Sequence, residues 1–143
     1  MLNLKTISKI FSSFLESKAV ISDIKSENRL AYLIKSSIET NWGQWQLEDS
    51  ARMLELGSKH VADAKQKIDK SNQARNDLIT AIDVEITNRM KLSRSNTQGK
   101  FYSESPGIII DRLAILYIRL SVIRDLLTLI KKEKDLKEEY EEK

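Results

Sequence analysis

The 143-residue chain has no cysteine, one proline, four glycines and one histidine, and only 6% of its residues are aromatic. Without cysteine there is no disulfide, no thiolate metal site and no cysteine nucleophile, which fits a cytoplasmic protein. His60 has Asp63 as its one nearby acid and no second histidine, too few ligands for a zinc site. No glycine-rich phosphate loop and no nucleophile motif is present. The longest apolar stretch, residues 108–130, is interrupted by Asp111, Arg112, Arg119, Arg124 and Asp125. Charges are too costly in hydrocarbon for that stretch to be a transmembrane helix. At the N-terminus, Ser and Lys interleave with Leu4, Ile7, Ile10, Phe11 and Phe14, so the continuous apolar core of a signal peptide is missing. Net charge is only +3. The stretch 88–100 holds Arg89, Lys91, Arg94 and Lys100 with Phe101 and Tyr102 following, and reads as a solvated basic loop rather than a nucleic-acid surface.

What remains is rich in helix formers: 41% of residues are hydrophobic and 31% charged, with few breakers. The expectation is an all-α, antiparallel helical bundle forming one domain over residues 1–143. A first helix covers about 3–16, its apolar stripe packing on its own domain rather than on a membrane surface. A short apolar stretch with Val20, Ile21 and Ile24 follows. A second helix runs from about Glu27 to Trp45. One long central helix occupies about 48–92, with a break or kink near Gly57–Ser58. Residues 93–105 form a loop. Ser105 as N-cap and Pro106 at the first helical position open a very apolar last helix, about 106–135. It ends in a tail, 131–143, in which eleven of thirteen residues are charged. Ile109, Leu113, Leu116, Leu120, Ile123, Leu127 and Ile130 form one face of this helix, and Ile108, Ile115, Val122, Leu126 and Leu129 a second. Two apolar faces on one helix point to a homodimer.

Three polar constellations carry what chemistry the chain can offer. In the first, Asn41-Trp42-x-x-Trp45-x-x-Glu48-Asp49-x-x-Arg52, the acids open a helix and Arg52 pairs back to Glu48 one turn away. In the second, Arg75 falls in the middle of the apolar face made by Val61, Ala64, Ile68, Ile79, Ile82 and Ile86. Lys65, Asp69, Asn72, Asn76 and Asp83 line a strip beside that face. A guanidinium buried there without a partner costs several kcal/mol. Its partner is therefore an internal acid (Asp69, Asp83 or Asp111) or a bound anion. The third, Ser103-Glu104-Ser105-Pro106-Gly107-x-x-Ile110-Asp111-Arg112, places free amides near Gly107 at a helix N-terminus and directs Arg112 inward.

Taken in order, W-x-x-E-D-x-x-R (Trp45–Arg52), K-x-x-I-D-x-x-N-Q-x-R-N-D (Lys65–Asp77) and S-E-S-P-G-x-x-I-D-R-L-x-I-L (Ser103–Leu116) resemble the bacterial family catalogued as domain of unknown function 4254. The resemblance covers about residues 41–123. It departs from the family pattern at Thr80, where an acid usually stands, and the chain looks shorter than typical members. The resemblance implies an all-helical bacterial or phage protein associated with glycosyltransferase and surface-polysaccharide gene clusters, and no established reaction. A shorter likeness, I-D-x-x-N-x-x-R-x-x-L at Ile68–Leu78, is to helical chorismate mutases.

Two functions follow as expectations. In the first, the bundle binds an anionic small molecule, a sugar phosphate or nucleotide-sugar, in glycan synthesis. Arg75 and Arg112 hold the anion, and Lys65, Asn72, Asn76, Arg52, Asp111 and the amides near Gly107 assist. Asp69, Asp83, Glu48 and Asp49 are the candidates for acid–base work. No cofactor is called for, although those carboxylates leave magnesium open. In the second, the protein is a non-catalytic interaction module that partners a glycosyltransferase-type enzyme, and its polar strip only fixes helix register.

Overall fold

The computed structural model describes residues 2–17, 28–93 and 104–142. They form four helices: α1 (Leu4–Ser17), α2 (Arg29–Ala51), α3 (Ser58–Ser93) and α4 (Pro106–Glu141). The apolar stretch at Val20, Ile21 and Ile24 and most of the 93–105 loop lie outside the described residues.

Each helix begins or ends where local chemistry directs it. Asn28 caps α2 by accepting from the Ala31 amide, and Ser105 caps α4 by accepting from the Ile108 amide, with Pro106 at the first helical position. The single central helix expected over 48–92 is instead two helices. Residues 48–51 complete α2, a 3₁₀ turn occupies Leu54–Leu56, and α3 starts at Ser58. Gly57 makes this reversal with φ of 95° and ψ of 165°, an extended positive-φ conformation open essentially only to glycine. The lone histidine ties the turn: His60 Nε2 lies 2.9 Å from Ser50 Oγ and 3.1 Å from the Ser50 carbonyl.

Helices α2 and α3 form a long antiparallel hairpin. Its rungs run from Ser50–His60 at the turn, through Gln44–Asn72, to Arg29–Glu85 and Asn28–Arg89 at the open end. Helix α4 returns antiparallel to α3, with Gly107 against Asp83 and Asp111 against Arg75. Helix α1 closes the other side, where the Tyr117 hydroxyl donates to Ser8 Oγ at 2.6 Å and the Tyr117 ring meets Phe11 edge-on. The core gathers Ile7, Phe11, Phe14 and Leu15 of α1, Leu30, Leu33, Ile34 and Ile38 of α2, Ile82 of α3, and Ile110, Ala114 and Ile118 of α4.

Helix α4 buries a different side from either expected face. Gly107, Ile110, Asp111, Ala114 and Ile118 point inward, whereas Leu116, Leu120, Ile123 and Leu127 are exposed. Apolar count alone does not choose the inward side of a helix that is apolar almost all round. Here the choice follows from the close approach of α3 at Gly107 and from the partners waiting for Asp111. From residue 123 onward α4 is exposed on every side.

Candidate functional site

The buried side of α2 changes character along its length. Leu30 and Ile34 are apolar, and the same stripe then continues as Ser37, Asn41, Gln44 and Glu48 at spacings of four, three and four. Ser37, Asn41 and Gln44 are buried. This polar stripe was legible in the helical spacing, yet Ser37 and Gln44 were not among the expected site residues. Lys35 is buried as well, with Glu39 3.5 Å away one turn on.

Facing that stripe, α3 presents Arg75 and α4 presents Asp111. Arg75 Nε donates to Asp111 Oδ1 at 3.1 Å and Nη2 donates to Oδ2 at 2.7 Å, a two-pronged pair. Asn41 Nδ2 donates to the same Oδ1 at 2.9 Å and to the Ser37 carbonyl. Asp111 is only 7% exposed, so it receives three hydrogen bonds away from water. A second branch centres on Gln44. Its Nε2 donates to Asn72 Oδ1 at 2.9 Å and to Glu48 Oε1 at 3.2 Å, while its Oε1 accepts from Ser71 at 3.3 Å. Arg75 Nη1 reaches Asn72 Oδ1 at 3.5 Å and joins the branches. Of the two alternatives open for Arg75, an internal acid is therefore present, and it is Asp111.

An open cleft of about 130 Å³ lies beside this network. Asn41, Gln44, Trp45 and Glu48 line it from α2, Arg75 from α3, and Ile115, Ile118 and Arg119 from α4. Asp111 is not in the lining but holds two residues that are. Arg75 has five N–H bonds. Three have acceptors among the described residues, which leaves two to offer to the cleft. Arg119 is exposed and has no ion-pair partner among the described residues. The lining thus combines an arginine whose charge is internally balanced, an arginine whose charge is not, a carboxylate, two amides and an indole.

The remaining expected residues lie elsewhere. Arg112, expected to point inward, is exposed and pairs with Glu104, Nη2 to Oε1 at 2.6 Å. It sits one position past Asp111, and the 100° step carries it out of the core. The Gly107 amide, expected to face a ligand, donates to Asp83 Oδ1 at 2.7 Å, so Asp83 supplies the anion at this helix end. A Cβ on Gly107 would fall on the Ile79 carbonyl oxygen. The glycine therefore admits a neighbouring helix rather than a ligand. Arg52 pairs with Asp49, at 3.9 Å and largely exposed, not with Glu48, because these residues end α2 instead of opening α3. Lys65, Asp69 and Asn76 are exposed along α3 and do not line the cleft. No group of three or more acidic or histidine side chains is gathered as a metal site would require, among the described residues.

A family model described as a protein of unknown function, DUF4254, matches residues 31–142, from the start of α2 to the end of α4. The chain belongs to the DUF4254 family. No curated protein and no solved structure matches it. The matched DUF4254 region contains α2 from its third residue, α3 and α4, and with them every residue that lines the cleft. Of the three motifs read from the sequence, it brings Trp45, Glu48, Asn72, Arg75 and Asp111 into one network and cleft wall.

Proposed function

We propose that this DUF4254 protein binds an anionic small molecule in the α2–α3–α4 cleft, and that the ligand is the phosphorylated end of a sugar phosphate or nucleotide-sugar used in glycan synthesis in the cytoplasm. The observation that carries the reading is the meeting of Trp45, Glu48, Arg75 and Arg119, from three helices, around one open cleft. Convergence of separated polar motifs on one opening is what a site requires and a register-fixing network does not. The chemistry of the lining suits a ligand with both an anion and hydroxyls. Arg119 offers an uncompensated cation for the phosphate, and Arg75 adds N–H donors held rigid by Asp111. Glu48, Gln44 and Asn41 offer acceptors for hydroxyls, and Trp45 offers a flat apolar wall with one polar edge. At about 130 Å³ the cleft falls below the ~300–1,000 Å³ of pockets that enclose a whole drug-sized molecule. It accommodates a head group, with the rest of a nucleotide-sugar lying outside. Glu48 is the one acid in the lining and so the candidate for any acid–base step.

The test is a thermal-shift screen against phosphorylated sugars, nucleotide-sugars and dicarboxylates, with and without magnesium. The variants are Arg119→Ala and Glu48→Gln, because neither residue holds the core together. A ligand that raises the melting temperature of the unmodified protein, and does so less for both folded variants, is the expected result. Equal shifts in all three proteins would place the ligand elsewhere.

A second reading, a non-catalytic module that docks on a glycosyltransferase-type enzyme, is favoured by the exposed apolar side of α4. The homodimer expected from the sequence draws on the same surface.

A further inference from the structure

The exposed apolar residues of α4 are ordered. Ile109, Leu113, Leu116, Leu120, Ile123, Leu127 and Ile130 follow one another at spacings of four and three throughout, a 3.5-residue repeat sustained over three heptads. Six of the seven are exposed, from 45% at Ile109 to 61% at Leu127 and Ile130, and Leu113 is half-buried. A repeat of 3.5 rather than 3.6 keeps its stripe facing one partner helix over many turns, and it forms the seam of a coiled coil. The opposite side of α4 shows that the seam has its own purpose. Up to Val122 that side carries Ile110, Ala114 and Ile118 and packs into the core. Beyond it the same side turns mixed, with Asp125, Thr128, Leu129, Lys132 and Leu136, while the seam continues apolar through Ile130. The helix outlasts its own bundle, and the seam is the one side of it that stays continuously apolar.

We infer that this seam is covered by a second copy of the chain, with the two α4 helices packed antiparallel. Three observations favour this occupant. The first is extent. With Leu126 flanking the seam, seven large apolar side chains stand exposed on this side of α4 between residues 109 and 130. At roughly 80 Å² of apolar area each, they offer about 560 Å², the larger part of the ~800 Å² per partner of a standard specific interface. That stands at the upper end of the ~300–600 Å² patch typical of a monomer. The second is self-complementarity: a twofold interface requires one surface to fit itself, and a regular apolar stripe does so. The third is charge. The next two seam positions are Lys134 and Lys137, which a parallel pair would set against their own copies. An antiparallel pair separates them. The inference rests on α4 and not on the cleft, so a failed ligand screen leaves it standing.

The experiment uses the absence of native cysteine. Light scattering on the full chain gives the mass of the unmodified protein and of the double variant Leu120→Glu/Leu127→Glu. A dimer mass that falls to the monomer mass, with helical circular dichroism retained, is expected. A monomer in the unmodified protein overturns the inference. Single-cysteine variants at Ile109 and Ile130 test the arrangement and hold even where the double variant fails to fold. Oxidation of the mixed pair Ile109→Cys and Ile130→Cys should yield the heterotypic crosslink. Efficient homotypic crosslinks at both positions would establish a parallel pair and overturn the antiparallel one.

Discussion

Arg75 and Asp111 are the residues on which the interior depends most. Each has its charge matched by the other, with two hydrogen bonds and additional support from Asn41 and Asn72. A pair of this kind adds little net stability over an apolar substitute of the same shape. Removing one partner strands the other as an uncompensated buried charge. Arg75→Ala should therefore destabilise the fold by about 3–5 kcal/mol, and Asp111→Ala by a similar amount. The double variant should lose less than the sum of the two, which chemical denaturation in a double-mutant cycle measures. Additive losses would show that the two groups act independently. For the same reason Arg75→Ala is a poor probe of ligand binding, whereas Arg119 and Glu48 can be changed without opening the core. The arginine on the apolar face of the sequence pattern was legible as a residue in need of a partner. Which of three acids would supply that partner was not, because Asp111 lies 36 residues away in the chain.

Between elements, the decisive contact is the approach of α4 to α3 at Gly107. The glycine brings its amide onto Asp83 and its backbone against the Ile79 carbonyl. A methyl group there has to push two helix backbones apart, and backbone yields less readily than a flexible side chain. Gly107→Ala is expected to cost about 1–3 kcal/mol in urea unfolding. A neutral substitution would mean that the helices separate at no cost. The first turn of α4 also positions the whole network, since Asp111 is one turn after Gly107. The N-cap at Ser105 and Pro106 was plain in the sequence because capping is local chemistry. The end of α2 was not. Glu48 and Asp49 suit a helix start as well as an exposed last turn, and the reversal at Gly57 assigned them to the end of α2.

For the molecule as a whole, the bundle is asymmetric. The dense core lies between α1, α2 and the first half of α4, the polar network and cleft lie where α2, α3 and α4 meet, and the second half of α4 projects from both. No helix among the described residues is long and apolar enough to cross a membrane. Arg119 lines the cleft and sits between Leu116 and Leu120 of the seam in sequence, so the proposed ligand site and the proposed dimer face border one another. Dimerisation through that face makes melting depend on protein concentration, as mass action requires. The melting temperature of the unmodified protein should rise with concentration, and that of Leu120→Glu/Leu127→Glu should not. A concentration-independent melt in both would count against the dimer.

Helical class, the break near Gly57, the caps of α4 and the need of Arg75 for a counter-charge were all present in the sequence. They follow from propensity, periodicity and the cost of burying charge, which act over a few residues. Membership of the DUF4254 family was legible in three ordered motifs for the same reason. Which face of α4 turns inward, that Arg112 turns outward, that Asp83 rather than a ligand occupies the Gly107 amide, and that Arg119 joins the cleft came from the packing of helices distant in sequence. A helix apolar almost all round presents several candidate faces with similar burial energy. The choice among them rests on a few specific contacts, chiefly a glycine that allows close approach and an aspartate that must meet its arginine.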